Sequence, residues 1–324
     1  MNGPLTLEKV VSQYVEEKRS LGFKYDKNEQ ILNRFIRLAE QEGYTKPQLD
    51  EALVKIWISK TGYETEKNRQ YRIGIIRGLA DYMIRLGYQS YVYSMKPRIF
   101  LNDTYEPHIF TNDELAELFQ SAAKMRNTEK YPFRSMQYTL ILKMLYSTGM
   151  RSSELMQLKK NDVDLDTGIL HIRETKFKKE RFIPINEIML QQSRNYDRYI
   201  RSYEQWQQSE YFFFNSQGSS LKDIYHPYRL ILKTAGISHG GRGKGPRVHD
   251  LRHTFAVHCL RNWVRSGKDL TTALPYLSAY MGHSGIRSSQ YYLRLTAELY
   301  PDIVNTLDVD YGWVIPEVDI DENN

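Results

Sequence analysis

The sequence predicts a mainly α-helical protein of two domains with one small antiparallel β patch. Three observations carry this. The chain has 324 residues, more than one typical domain holds. Apolar residues recur at helical spacing over most of its length. Alternating, β-branched residues are confined to one stretch around residues 169–185.

Residues 5–95 read as helix throughout. "TLEKVVSQYVEEKRSLGF" opens on Thr6, an acceptable N-cap, and places Val10, Val11, Tyr14 and Leu21 on one face. "YDKNEQILNRFIRLAEQEGY" repeats the pattern with Ile31, Leu32, Phe35, Ile36 and Leu38, and "LDEALVKIWISKTG" and "KNRQYRIGIIRGLADYMIRLGY" continue it. Gly22, Gly43, Gly62 and Gly87 stand where these helices should stop. Arg69, Arg72, Arg77 and Arg85 are expected on the polar faces. The periodicity breaks in "YSMKPRIFLNDTYEPHIF", which holds Pro97 and Pro107. The expected division is therefore a helical domain at 1–96, a linker at 97–109 and a second domain at 110–324.

The second domain starts with a capping box, Thr111 with Glu114. In "DVDLDTGILHIRETKFKKERFIPI" a turn at Asp166-Thr167-Gly168 precedes an expected strand at 169–173, a basic turn and a second strand at 181–185. Helices are expected at 187–204 and 224–235. "SHGGRGKGPR" reads as a basic, glycine-rich loop and "VHDLRHTFAVHCLRNWVRSG" as a helix. Ser288 or Ser289 can cap a last helix, on which Tyr292, Leu295 and Leu299 make one stripe.

Net charge is +6, and its distribution says more than its sum. Seven acidic residues and no Lys or Arg lie between Asp302 and Asn324, so the first 301 residues carry 45 basic against 32 acidic side chains. That favours a polyanionic partner for the body. A single cysteine, Cys259, excludes an internal disulfide and a cysteine-based zinc cluster. A reducing cytoplasm is the expected location, beside the nucleoid. The first twenty residues lack the basic flank and apolar stretch of a secretory signal, and no apolar run reaches the length of a membrane span.

Breaking and rejoining a phosphodiester without a metal needs a covalent nucleophile, guanidiniums for the non-bridging oxygens and a general acid for the leaving oxygen. Four separated patches supply candidates. "TGMRSSEL" holds Arg151 at a helix start, with Glu154 one turn on to steady it. Lys176 lies in the basic turn "TKFKKERFIPI". "HDLRHTF" puts His249 and Arg252 three apart. "GHSGIRSSQYY" supplies His283 and two adjacent tyrosines, of which the helical rotation of about 100° lets only one face a given phosphate. His249 and His253 are four apart, but no H-E-x-x-H glutamate and no third ligand accompany them, so no metal is expected.

In the order Arg, Lys, His-x-x-Arg, His, Tyr, these patches resemble the tyrosine recombinase (phage integrase) family. "TGMRSSEL" is similar to its T-G-x-R-x-x-E-L box and "HDLRHTFA" to its most recognisable string. "YMGHSGIRSSQYY" is similar to L-G-H-s-x-x-x-t-t-x-x-Y. The resemblance spans Thr111 to Tyr300, and the preceding helical stretch is similar in size to the family's core-binding, SAM-like DNA-binding domain. It implies a tyrosine recombinase fold and a 3′-phosphotyrosyl intermediate with Tyr292, nine residues after His283, as nucleophile. It also implies catalytic roles for Arg151, Lys176, His249, Arg252 and His283, with Lys178 or Lys179 as alternatives for the lysine, whose turn lacks the glycine many members carry. No cofactor is implied. Lys178, Lys179, Arg181, Arg242, Lys244 and Arg247 are expected to contact DNA.

The implied partners are double-stranded DNA, a homotetramer on synapsed sites (monomer or dimer off DNA) and sister recombinases. Val314, Ile315, Val318 and Ile320 in the acidic tail are candidate anchors on a neighbour. The stretch between Arg252 and His283 is longer than in compact Xer-type members, which points to integration or excision of a mobile element. Two alternatives share parts of this reading: a catalytically silent DNA-binding accessory protein, and relaxation of DNA in the manner of a type IB topoisomerase.

Overall fold

The computed structural model describes residues 6–94, 105–173, 180–241, 245–283 and 287–300. The chain divides into two compact units, Met1–Asp103 and Thr104–Asn324. Of the expected linker, residues 97–104 lie outside the described residues.

The first unit packs α1 (Leu7–Ser20), α2 (Asp26–Gln41), α3 (Glu51–Ile58) and α4 (Glu66–Arg85). Thr6 caps α1 by accepting from the Lys9 amide at 3.3 Å. Gly22, Gly43 and Gly87 follow α1, α2 and α4 with positive φ, the conformation a helix end demands. Val10, Val11, Leu32, Phe35, Leu53, Ile76, Leu79 and Met83 form the core. Each such side chain contributes roughly 1.5–3 kcal/mol by leaving water.

Gly62 departs from the expectation, for α3 ends four residues earlier, at Ile58. Arginines of α4 cap it instead. Arg69 Nε donates to the Ile58 carbonyl at 2.7 Å, and Arg72 donates to the carbonyls of Trp57 and Ser59. Arg72 is thus buried rather than on a polar face, paired with Glu64 at 2.6 Å and lying over the Trp57 ring.

The second unit is built on α6 (Arg134–Thr148), whose Tyr138, Leu140, Ile141, Leu142, Met144 and Leu145 are all buried. Helix α5 (Asn112–Ala123) precedes it with the Thr111–Glu114 capping box complete. Helix α7 (Ser152–Met156) and a 3-10 turn at 160–162 lead into an antiparallel sheet of β1 (Val163–Asp164), β2 (Ile169–Ile172) and β3 (Arg181–Pro184), in that order. The sequence misses β1, which at two residues is too short to alternate. Asp164 accepts from the amides of Asp166 and Thr167, and Gly168 completes the turn with positive φ. Leu170 faces Ile183 on the buried side of the sheet. Both expected strands end one residue early; Arg173 turns away to pair with Asp162 at 2.5 Å.

The remaining helices are α8 (Glu187–Arg201), α9 (Glu204–Gln207), α10 (Tyr225–Thr234), α11 (Asp250–Arg265), α12 (Leu270–Met281) and α13 (Arg287–Leu299). The expected helix at 187–204 therefore breaks before α9. The long stretch between Arg252 and His283 becomes the rest of α11 and the whole of α12. Helix α13 already includes Ser288 and Ser289, so neither is its cap, and Leu299 is exposed rather than in line with buried Tyr292 and Leu295. Helices α11, α12 and α13 share a second apolar cluster containing Val257, Leu260, Leu277, Met281, Tyr292 and Leu293. Among the described residues no helix is long and apolar enough to cross a membrane. The candidate tail anchors between 314 and 320 lie outside the described residues.

Candidate active site

The site begins where α6 ends. Gly149 adopts φ 59°, and a side chain there would overlap the Phe255 ring of α11, with Cε1 only 2.9 Å from the added carbon. A glycine is therefore required both by its backbone and by the approach of α11. Its carbonyl accepts from Arg252 Nη1 at 2.5 Å. Two residues on, Arg151 occupies the N-cap of α7.

Glu154 organises this corner. Its carboxylate, 2% exposed, accepts from the Arg151 amide at 2.9 Å and Arg151 Nη1 at 2.8 Å. It also accepts from Arg181 Nη1 at 3.1 Å and Nη2 at 2.7 Å. Burial alone would raise its pKa; hydrogen bonds from Arg181 and Arg151 outweigh burial and hold it below the usual carboxylate value. The other terminal Arg151 nitrogen, Nη2, donates to the Gly282 carbonyl at 2.8 Å. Glu154 steadies Arg151 as the sequence suggests, and the second guanidinium on it comes from β3.

That second guanidinium is Arg181, which the sequence offers as a DNA contact. Its side chain is 11% exposed, with Nε on the Tyr280 carbonyl at 3.0 Å and both terminal nitrogens on Glu154. All its nitrogens are engaged inside the protein, so it braces α7 against the end of α12. Gly282, at φ 68°, lets this happen, since a Cβ there would stand 2.8 Å from Arg181 Nη1. Arg247, also expected on DNA, lies over the Tyr105 ring at 3.3 Å.

Helix α11 supplies the opposite wall. His249 is its N-cap, and Arg252 and His253 follow within the first turn. Arg252 is buried, and burial first, then the neighbouring charge of Arg151, lowers its pKa to about 10, which leaves it protonated at neutral pH. His249 as a residue is exposed to solvent. The packing around it and then the charges of Arg252 and Arg151 push its pKa down to about 4; solvent reaching the ring moderates that shift without reversing it. His283, just after Gly282, is lowered to about 4 by burial, then by Arg252, Arg151 and Arg181.

Tyr292 comes in from α13. It is 4% exposed whereas Tyr291 is 38% exposed, so the two adjacent tyrosines point to different environments. The Tyr292 ring stacks on His283 with centroids 5.8 Å apart and 19° between planes. Burial raises its pKa, while the charge of Arg252 and a hydrogen bond from it pull the other way. The phenol thus remains protonated at neutral pH.

Five of the six residues expected to be catalytic, Arg151, His249, Arg252, His283 and Tyr292, therefore share one site with Glu154. Lys176, with its alternatives Lys178 and Lys179, lies outside the described residues, as do Arg242 and Lys244. Among the described residues no group of three His, Cys, Asp or Glu could hold a metal ion. Sequence reasoning missed Arg181 as a brace and His253 as a wall of the site. Arg181 carries no local signal, because its partners lie 27 and 99 positions away. In the sequence His253 stands out only by its spacing of four from His249.

Residues 108–298 match the model of the phage integrase family, over half of the chain. A putative integrase/recombinase of Sinorhizobium fredii, y4rB, is 28% identical over 94% of this chain and 97% of that protein. The tyrosine recombinase XerC of Staphylococcus saprophyticus is 32% identical over 60% of this chain and 59% of that protein. Among solved structures, the Tn1549 transposon integrase in complex with transposon right end DNA aligns with a TM-score of 0.60 at 17% identity, covering 93% of this chain and all of that one. That likeness shows the fold. The convergence of one tyrosine with two arginines and two histidines, and the match along the same residues, agree: this chain belongs to the phage integrase family of tyrosine recombinases.

Proposed function

We propose that this site-specific DNA recombinase cuts and rejoins DNA through a 3′-phosphotyrosyl bond on Tyr292. The observation that carries the proposal is that Tyr292 is buried beside the Arg252 charge and stacked on His283, while Tyr291 is exposed. The phenol oxygen attacks the scissile phosphorus, a bond forms from phosphorus to that oxygen, and the bond to the 5′ oxygen breaks. The phenol proton passes to His249, which is neutral at pH 7 and so able to accept it. Arg151 and Arg252 hold the non-bridging oxygens, where planar guanidiniums are geometrically suited to a phosphoryl group. His283 hydrogen-bonds the phosphate, and Lys176 protonates the leaving 5′ oxygen. Glu154 and Arg181 keep Arg151 aimed. The 5′ hydroxyl of a partner strand then reverses the sequence, with bond energy conserved in the covalent intermediate.

The helical unit at the N-terminal end would bind DNA as a core-binding domain, and phosphate contacts would make affinity fall steeply with salt. Double-stranded DNA is the partner this reading requires, with a homotetramer on synapsed sites. The Sinorhizobium integrase/recombinase relative and the structural relative bound to transposon DNA favour integration or excision of a mobile element.

A duplex nicked beside its cleavage position tests the proposal, because the small product diffuses away and traps covalent protein. Tyr292→Phe is expected to give no covalent complex, and Tyr291→Phe to retain it. Covalent complex with Tyr292→Phe, or its loss only with Tyr291→Phe, refutes the assignment. Relaxation of supercoiled DNA lacking any recombination site, by the protein alone, would favour topoisomerase action. Loss of cleavage in EDTA would favour a metal nuclease.

A further inference from the structure

We infer that His253, to which the proposed mechanism gives no part, is a positioning residue for strand cleavage, the wall that sets Tyr292 and His249 relative to each other. This rests on the reading of Tyr292 as nucleophile. His253 stands one turn along α11 from His249 and next to Arg252. Its imidazole meets three rings of the site at once. It lies 4.9 Å from His249 at 84°, 5.5 Å from Tyr292 at 54° and 6.2 Å from Tyr291 at 70°, measured between centroids. These are edge-to-face and tilted arrangements at the separations aromatic pairs prefer, with a ring edge directed at a neighbour's face. One side chain thus touches the group that gives up the proton, the group that takes it, and the competing tyrosine.

The chemistry of the ring supports packing over proton transfer. Nδ1 is buried and has no hydrogen-bond partner among the described residues. A proton there would be an unsatisfied buried donor, so the neutral ring carries its proton on Nε2. Burial, then His249, Arg252 and His283, lowers its pKa to about 3, so it adds no positive charge beside Arg252 at working pH. What it contributes is shape. Tyr291 and Tyr292 leave α13 about 100° apart, and a ring in contact with both holds the helix at the rotation that turns Tyr292 inward. A leucine of similar volume would fill the space without offering edges and faces to the same three neighbours.

The test uses the full-length protein in single-turnover formation of covalent complex at saturating nicked duplex, with DNA affinity measured separately. His253→Phe keeps a ring; His253→Leu keeps volume and loses the ring. Small misplacements of reacting groups reach about 100-fold in rate. The expected result is a loss of about 10-fold or more for His253→Leu with unchanged DNA affinity, and a rate within about threefold of the parent for His253→Phe with the parent's pH profile. Parental rates in both variants overturn the inference. So do equal losses in both, or a shifted pH profile in His253→Phe, since either would mean that a ring nitrogen moves a proton. Tyr292→Phe in the same assay separates the two readings. If it still forms covalent complex, the nucleophile assignment fails and this inference with it; if it is inactive while His253→Leu is unimpaired, only this inference fails.

Discussion

Replacing Glu154 with Gln tests whether the buried carboxylate holds the site together. The side chain accepts four hydrogen bonds, three of them from guanidinium nitrogens, at 2.7–3.1 Å. Glutamine offers one acceptor oxygen and turns an NH2 toward donors, so roughly half of these bonds are lost. Hydrogen bonds to charged groups are worth about 1.5–3 kcal/mol each, and removing one partner of a buried ion pair costs about 3–5 kcal/mol. Arg151, a quarter exposed, can regain water; Arg181, at 11% exposure, cannot. The estimate is therefore about 3 kcal/mol, at the low end of that range. This corresponds to amide exchange about 100-fold faster in α6 and α11 peptides, when exchange proceeds through unfolding of the second unit. Because the carboxyl's folded pKa is lowered, its contribution is complete above the ordinary carboxylate value and disappears as pH falls through the folded one. The gap between parent and variant should accordingly close in acid. Protection within threefold of the parent at neutral pH would refute the reasoning.

Two further outcomes follow from the same geometry. Gly149→Ala forces a side chain into a left-handed position and against Phe255, at an expected cost of about 2 kcal/mol or more, and moves the carbonyl that holds Arg252. A lowered melting temperature with slowed cleavage is expected; an unchanged melting temperature would contradict the close approach of α11. His249, His258 and His283 have pKa values lowered to about 4, and His253 to about 3. Their contribution to stability is thus complete above the ordinary imidazole value and is lost as pH falls from there toward these folded values. Each contributes at most about 1.4 kcal/mol per pH unit in that window, less for His249, His253 and His283, which solvent reaches. Melting temperatures measured between pH 7 and 4.5 should fall with acid, and a flat profile would contradict burial of neutral rings.

What was legible in the sequence was whatever depends on near neighbours along the chain. The Thr111–Glu114 capping box, the glycine ends of α1, α2 and α4, and the turn at Asp166-Thr167-Gly168 are interactions over a few residues, and each formed as read. The strings around Arg151, His249, Arg252, His283 and Tyr292 were readable for the same reason, since spacing on a single element marks the chemistry. Tertiary packing alone decided the remainder. Arg72 left the polar face because the carbonyls at the end of α3 needed donors, and Arg181 turned inward because Glu154 is a buried carboxylate that one arginine leaves half satisfied. Those choices are made by desolvated charges and rings that meet only after the chain has folded, so no local pattern encodes them.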